Sequence, residues 1–312
     1  LALGVGKASL AEFGRQEGEL KYLRRAPTKR QELWRRLGIA PRGIDREVVD
    51  MMHRTTMGVD QDAEHILLGT MRVALADGWG GSMLSTDLSD IIFGTPYPTW
   101  GESNFGVLKH DEVNIVINGH EPTLAEVIHV LVHDPEMVEY AKSKGAKGLN
   151  LVGMCCSGNE ILMRHGVPLA GNFLQSDLIM VSGAVDAMVV DYQCVMQGLQ
   201  AAAEHFHTKL ITTSPKAKIP GATHIEFDEH RAQEIGKLIV RTAVDNFPNR
   251  KKIHIPAVVD PLVAGFSHEY IAYMQGGSYR QSFRPLNDAI MQGRIRGAAA
   301  VVGCNNVHTI HD

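Results

Sequence analysis

The fold is decided by one stretch of the chain, Lys147-Gly-Leu-Asn-Leu-Val-Gly-Met-Cys-Cys-Ser-Gly-Asn-Glu160. Its apolar run predicts a buried strand that breaks at Gly153. Two adjacent cysteines, Cys155 and Cys156, follow the break, and a helix is predicted to begin near Asn159. In a parallel α/β sheet, ligands bind where a strand ends and the next helix begins. The two thiols are therefore candidates for a functional site.

Strands and helices alternate on both sides of this stretch. Short apolar runs predict strands at 113–117, 149–152, 167–169, 187–190, 210–213 and 252–255. Segments with helical periodicity separate them, and this alternation indicates a parallel sheet with right-handed crossovers. A further buried strand is predicted at 298–302, ahead of Cys304.

The first part of the chain has a different pattern, without strands. Helices are predicted at 31–37, 45–53, 61–76 and 86–92, with a glycine-rich loop at 77–81. We expect an α/β fold in which 1–96 is a helical region, the remainder of an N-terminal helical domain. A Rossmann-like middle domain is expected at 97–257, and 258–312 is expected to begin a second, C-terminal Rossmann-like domain.

Composition excludes several classes of protein. The 312 residues are 44% hydrophobic and 21% charged with a formal net charge of −4, which is typical of a globular chain and not of a nucleic-acid-binding one. Apolar residues interrupt the basic run at 21–36, which favours a solvated helix. No apolar run approaches the roughly 20 residues of a membrane span. Four cysteines are too few for a disulfide scaffold and suggest thiols in a reducing cytoplasm.

Potential metal ligands follow several of the predicted strands. His120, Cys156, Cys194 and Cys304 each come after an apolar run and a glycine or polar break. Because parallel strands end at the same edge of a sheet, His120, Cys156 and Cys194 are expected to converge there from a single domain, and Cys304 is expected to close the site from the next domain. Thiolates with one imidazole suit iron–sulfur chemistry or zinc. The long spacings contain no CxxC pattern and disfavour a zinc ribbon or a simple ferredoxin site.

Other interpretations of the same residues stay open. The stretch at 153–157 approximates a nucleophile elbow with Cys155 as nucleophile, which would suit a cysteine hydrolase with a histidine base. A non-catalytic Rossmann-like binding module with buried thiols is the simplest alternative. His129 and His133 are spaced i, i+4 on a predicted helix, as in some zinc sites, but surface histidines are favoured. No GxGxxG motif follows the first strand, so a dinucleotide site has little support.

Ordered motifs run through nearly the whole chain. They include Asp77-Gly-Trp-Gly-Gly-Ser82, Phe93-Gly-Thr-Pro96, Gly119-His-Glu-Pro-Thr123, Gly153-Met-Cys-Cys156, Asn159-Glu-Ile-Leu-Met-Arg164, Gly183-Ala-Val-Asp186, Ile219-Pro-Gly-Ala222 and Val302-Gly-Cys-Asn-Asn306. With these motifs the sequence resembles the anaerobic nickel–iron–sulfur carbon monoxide dehydrogenases. The resemblance implies a nickel, iron and sulfide cluster between two Rossmann-like domains. It also implies oxidation of CO with water to CO2, two protons and two electrons.

The resemblance also implies roles for individual residues. His120 and Cys156 match the ligands of an iron outside the cubane of the cluster. Cys194 and Cys304 match ligands of cubane irons, whereas Cys155 matches a neighbour that is not a ligand. Asp77 is a candidate for proton handling beside the cluster.

The resemblance further implies that the chain is about half of a full subunit. Additional 4Fe-4S clusters are expected only in a segment upstream of residue 1, and further cluster ligands only beyond Asp312. The expected partners are a second copy in a homodimer, an iron–sulfur electron carrier such as ferredoxin, and acetyl-CoA synthase. The protein is expected to be cytoplasmic, with membrane association only through partners. We expect these 312 residues alone to be inactive.

Overall fold

The structure is a computed structural model that describes residues 2–15, 17–275 and 282–301. The chain divides into two compact units, residues 1–95 and residues 96–312. The first contains helices, and the second contains an eight-stranded sheet with helices. The expected α/β fold class is confirmed. The finer division into domains stays a prediction.

The first unit is built from helices around a small apolar core. Its α-helices are α1 (Ala2–Phe13), α2 (Thr28–Arg36), α3 (Ile44–Arg54), α4 (Ala63–Ala76) and α5 (Ser82–Phe93). The core includes Leu23, Trp34, Ile39 and Leu84, all nearly inaccessible to solvent. The four helices predicted for this region are confirmed.

The predicted loop at 77–81 is wrong, because Asp77–Gly81 forms a π-helical turn that joins α4 directly to α5. A Cβ on Gly80 would lie 2.9 Å from side-chain atoms of both Ile44 and Leu20. The absence of a side chain at Gly80 therefore lets the helical backbone approach the core closely. Packing outweighs the roughly 1 kcal/mol helix penalty of a glycine. Single π turns of this kind are frequent at functional sites.

The second unit is organised by its sheet. The strands are β1 (Thr99–Ser103), β2 (Val113–Asn118), β3 (Leu149–Met154), β4 (Leu169–Gly171), β5 (Val185–Val190), β6 (Lys209–Thr212), β7 (Thr223–His224) and β8 (Asp260–Ala264). Their order across the sheet is β7-β6-β5-β2-β3-β4-β1-β8. All neighbouring strands are parallel except β8, which pairs antiparallel with β1.

Helices cover both faces of the sheet. One apolar cluster contains residues of α6 (Pro122–Leu131), α7 (Pro135–Ser143), α8 (Cys155–His165) and α11 (Ala232–Asn246), and the other contains residues of α9 (Ser176–Val181) and α10 (Leu199–His205). Two further helices, α12 (His268–Met274) and α13 (Arg284–Met291), follow β8. Alternate residues of β2 enter separate apolar clusters, with Ile115 and Ile117 in one and Val116 in the other. This period of two is the pattern of a strand buried on both faces. In the described part of the chain, no helix is long and apolar enough to cross a bilayer.

Four strands of the sheet core, β2, β3, β5 and β6, lie within two residues of the predicted strands. β4 begins at Leu169, two residues later than expected. The helix after β3 begins at Cys155 instead of near Asn159, so the cysteines lie in its first turn.

Two predicted strands were wrong, and the strands β1 and β7 were missed. Residues 252–255 form no strand, and the edge strand is β8 instead. Residues 298–301 of the strand predicted at 298–302 form no strand and are exposed, with Val301 fully so. Strand β1 was missed because its sequence, Thr-Trp-Gly-Glu-Ser, has no apolar run. Pairing with neighbours, and not apolar content, decides strands at the sheet edge.

Candidate metal centre

The carboxyl ends of three central strands meet at one place on the sheet edge. Asn118 at the end of β2 is paired with Met154 of β3 on one side and with Val190 of β5 on the other. The chain proceeds from β2 toward β3 and later returns to place β5 on the opposite flank of β2. A crevice outside the strand ends is expected at such a reversal of strand order.

His120, Cys155 and Cys156 come together in this crevice. One ligand atom from each residue lies within 4.8 Å of the other two. Among the described residues, this is the group of three or more His, Cys, Asp or Glu side chains that satisfies the distance. The buried Nδ1 atom of His120 has no hydrogen-bond partner. A buried polar atom without a partner is costly unless a ligand satisfies it.

The two thiols differ in exposure. Cys155 is 2% exposed and packs in an apolar cluster with Met154 and Val190, whereas Cys156 is exposed. The Cys156 sulfur is therefore the more accessible to a bound group.

The backbone is strained at both cysteine-bearing segments. Cys155 has φ +61°, and Gln193 and Cys194 have φ +57° and +48°. Residues with a Cβ rarely adopt this left-handed region, and such strain clusters at functional sites. The strained residues therefore mark the same edge of the sheet as the ligand group.

A pair of glycines brings β3 and α8 into contact. A Cβ on Gly153 would lie 2.6 Å from the Cα of Gly158. No side chain fits between them, so the first turn of α8 is pressed against the end of β3. This contact fixes where Cys155 and Cys156 lie relative to the sheet.

The carboxylate of Asp191 is buried beside the ligand group and is 2% exposed. It accepts hydrogen bonds from the backbone N–H groups of His120 at 2.5 Å and Glu121 at 3.0 Å, from the Ser157 hydroxyl at 3.0 Å, and from the N–H of Tyr192. Burial raises the pKa of Asp191, although these hydrogen bonds favour the ionised form and oppose the shift.

A second acidic side chain, Glu121, caps the start of α6. Its Oε1 accepts the N–H of Thr123 at 3.1 Å. Burial raises the pKa of Glu121, and the negative charges of Asp191 and Glu229 add to the shift. Burial thus raises the pKa of both carboxyl groups beside the ligand group, and at Asp191 the donated hydrogen bonds oppose the shift.

The other predicted site residues lie in several places. Cys194 follows β5 by four residues and lines a cleft of about 400 Å³ with Lys216 and Lys218, and it is not a member of the three-residue group. Cys304 lies outside the described residues. Asp77 begins the π-helical turn of the first unit. The structure thus brings together one predicted ligand pair, His120 and Cys156, with Cys155 as their neighbour.

The histidines considered for zinc form a separate cluster. The ring of His129 stacks on that of His165 at 4.2 Å between centroids and meets the ring of His133 edge-on at 5.0 Å. His165 is bonded to Glu126 at 2.7 Å. A metal lies in the plane of each imidazole that binds it, so rings stacked face to face are not arranged to share one. Burial, with the charges of His165 and His133, lowers the pKa of His129 to about 4.

Sequence reasoning gave no role to Asp191 or Ser157. Asp191 directly follows the buried strand β5 and lies at the same edge of the sheet as the cysteines. The rule applied to metal ligands therefore also points to Asp191. Its hydrogen bonds to the other two segments depend on the strand order, which the sequence alone does not supply.

Comparison with known proteins places the chain in a family. The family model described as Prismane/CO dehydrogenase family matches residues 1–312. The chain belongs to this family. Carbon monoxide dehydrogenase 1 of Methanosarcina mazei is 54% identical over 310 residues, which cover 99% of this chain and 49% of that protein.

Two further members of the family are also similar over the whole chain. The solved structure of carbon monoxide dehydrogenase IV from Carboxydothermus hydrogenoformans matches with a TM-score of 0.92 and 44% identity, covering 98% of this chain and 49% of that one. The carbon monoxide dehydrogenase/acetyl-CoA synthase subunit beta of Moorella thermoacetica is 42% identical over 320 residues, covering 100% of this chain and 47% of that protein. The chain thus spans about half the length of these relatives.

Proposed function

We propose that this chain forms one wall of the nickel–iron–sulfur centre of a carbon monoxide dehydrogenase, which oxidises CO with water to CO2, two protons and two electrons. The observation that carries the proposal is the convergence of His120, Cys155 and Cys156 ligand atoms within 4.8 Å. The group lies at the switch point of the sheet, in a chain of the Prismane/CO dehydrogenase family.

The residues present suit such a centre. Thiolates are the ligands of iron–sulfur clusters, and an imidazole suits iron or nickel. The buried Nδ1 of His120 without a partner marks a polar pocket that a bound group would complete. Proposed ligands are His120, Cys156, Cys194 and Cys304. The choice of Cys156 over Cys155 is supported by exposure, since Cys155 is packed among apolar side chains.

When bound, the cluster would supply the metal sites that activate CO and water and would accept the two electrons. The protein's part is placement. The three central strands hold the ligand-bearing segments at one edge, and the glycine contact between β3 and α8 fixes the cysteine turn. Apolar residues around Cys155 exclude water from one side of the crevice. Asp77 remains the proposed group for moving protons.

Partners follow from the same proposal. The electrons would leave through additional 4Fe-4S clusters in an N-terminal segment and pass to a ferredoxin-like carrier. The protein would act as a homodimer with a second copy. The Moorella relative, whose name pairs the activity with acetyl-CoA synthase, supports such a partner here.

A cysteine hydrolase is the second candidate, because one observation favours it. Cys155 follows strand β3 directly and begins helix α8 with φ +61°, as the nucleophile of a strand-turn-helix elbow does, and a ring nitrogen of His120 lies within 4.8 Å of its sulfur. Its 2% exposure opposes attack on a substrate. The metal centre therefore has the stronger support.

The test uses the intact gene product purified without oxygen. We expect bound nickel and iron, visible absorption of an iron–sulfur protein, and CO-dependent reduction of a viologen dye. Cys156→Ala should lose iron and activity, whereas the matched neighbour Cys155→Ala should retain both. A colourless, metal-free protein whose esterase or amidase activity is blocked by iodoacetamide would favour the hydrolase and refute the metal centre.

A further inference from the structure

One carboxylate connects all three described segments that carry candidate ligands. Oδ1 of Asp191 accepts the N–H of His120 at 2.5 Å, and Oδ2 accepts the Ser157 hydroxyl at 3.0 Å. Ser157 directly follows Cys156, and Asp191 precedes Cys194 by three residues. A single side chain thus bonds the three segments to one another.

A second set of bonds closes the connection between two of these segments. The N–H of Ser157 donates to the carbonyl oxygen of Gly119 at 2.7 Å, and the N–H of Glu121 donates to the Ser157 hydroxyl at 2.8 Å. The N–H of Glu121 also reaches Asp191 Oδ2 at 3.0 Å. The loop after β2 is thus bonded to the first turn of α8 both directly and through Asp191. None of these bonds uses the side chain of His120 or of a cysteine.

The chemistry of a carboxylate is needed for this arrangement. Both oxygens of Asp191 face donors, and an asparagine has one acceptor oxygen and an NH2 group that only donates. An amide would therefore turn a donor toward an N–H or O–H group and break the contacts on one side. Hydrogen bonds to a charged acceptor are about twice as strong as neutral ones, so the carboxylate holds the loops more rigidly.

The same strand carries a second buried carboxylate with another task. Asp186, at the opposite end of β5, is inaccessible to solvent and binds the guanidinium of Arg250, with Nε–Oδ1 at 2.8 Å and Nη2–Oδ2 at 2.5 Å. It also bonds His207 Nε2 at 2.9 Å. No candidate ligand is among these partners. Asp186 therefore supports the fold away from the crevice and provides a matched comparison.

We propose that Asp191 is a positioning residue for the metal centre, acting through the backbone of His120 and through Ser157 to set the distance between the imidazole and the cysteines. This inference rests on the proposed function, which it deepens. Residues that orient metal ligands in this way usually change metal affinity or activity by about 10- to 100-fold when they are replaced.

The test compares Asp191→Asn and Ser157→Ala with Asp186→Asn in the intact protein. In the metal-free protein, hydrogen exchange of the His120 and Glu121 amides reports whether their bonds to Asp191 persist. In the anaerobic loaded protein, nickel and iron content and the electron paramagnetic resonance spectrum report the geometry of the bound group. The thermal unfolding midpoint reports the fold.

Asp191→Asn should exchange both amides faster, bind metal about 10- to 100-fold more weakly and change the spectrum of the metal that remains. Ser157→Ala should change amide exchange, metal binding and the spectrum in the same direction but by a smaller amount. This variant replaces Asp191→Asn in the comparison if Asp191→Asn does not fold. Asp186→Asn should lower the midpoint and leave amide exchange and spectrum per iron unchanged.

Wild-type amide exchange and spectrum in Asp191→Asn would overturn the inference and leave the proposed function standing. An equal spectral change in Asp186→Asn would also overturn it, because loss of stability alone would then explain the effect. Wild-type protein without nickel or iron would refute the proposed function itself.

Discussion

Replacing Gly119 by alanine should damage the candidate metal centre by displacing the Asp191 carboxylate. A Cβ at this position would lie 1.9 Å from Oδ1 and 2.3 Å from Cγ of Asp191. Favourable contacts between such atoms begin near about 3.5 Å, so the carboxylate would have to retreat by more than about 1 Å. Its bonds to the N–H groups of His120 and Glu121 would then be lost.

The size of the effect follows from these contacts. Each hydrogen bond to a charged group contributes about 1.5–3 kcal/mol, and a residue with a Cβ at the φ of +139° found here costs about 1–3 kcal/mol. With two such bonds lost, Gly119→Ala should therefore destabilise the second unit by about 4–9 kcal/mol. Gly145→Ala is the matched control, because Gly145 also has a positive φ, +93°, but nothing lies within 4 Å of its Cβ position. Gly145→Ala should be destabilised only by the backbone strain of a residue with a Cβ at positive φ.

Differential scanning calorimetry of the two variants and the parent measures the difference. At about 2–4 °C per kcal/mol for a unit of this size, Gly119→Ala should unfold about 10 °C below Gly145→Ala. Iron content should fall in Gly119→Ala alone. If the two variants unfold within about 3 °C of each other and bind equal iron, the carboxylate does not occupy the position on which this reasoning depends.

Three more predictions concern other parts of the chain. Because the pKa of His129 is lowered to about 4 in the fold and is about 6.5 when unfolded, the unfolded chain binds the extra proton, and stability is lost as pH falls from 6.5 toward 4. His129→Gln should remove about 1 kcal/mol of the stability loss between pH 7 and pH 5, a value reduced because the ring is only partly buried. Parallel curves of urea midpoint against pH for this variant and for His205→Gln would contradict it. Arg250→Ala should lower the free energy of unfolding by about 3–5 kcal/mol, because it leaves the Asp186 carboxylate buried without its cation. Replacing the exposed Arg231 by alanine should lower it by less than about 1 kcal/mol, and equal shifts of the two variants in thermal unfolding would refute this. Gln193→Gly should stabilise by about 0.5–1 kcal/mol by relieving φ +57°, and a lower midpoint would show that the strain is absent.

The central strands were predictable because burial on both faces gives a continuous apolar run. Val113–Asn118 and Val185–Val190 are buried at every position, and most of their residues are apolar. The edge strands were not predictable on this basis. Thr99–Ser103 contains a tryptophan, a glycine and a glutamate, and it becomes a strand through pairing with Asp260–Ala264 more than 150 residues later. Such non-local pairing leaves no local pattern.

The candidate site was predictable in part for a similar reason. The rule that ligands follow parallel strands selected His120 and Cys156, whose ligand atoms the structure brings together with that of Cys155. It did not place the cysteines inside the first helical turn, because the helix was expected to begin near Asn159 and begins at Cys155 instead. Gly158 lies in this turn and packs directly against Gly153 of β3. The roles of Cys194, Cys304 and Asp77 stay predictions.

Strand β5 contains one buried carboxylate near its start, and a second one directly follows its end. Asp186 and Asp191 are five residues apart, roughly 17 Å along an extended strand. The first is held by a guanidinium and the second by backbone amides and a hydroxyl. The ion pair that stabilises the fold and the hydrogen bonds that hold the ligand-bearing loops therefore lie at opposite ends of one strand.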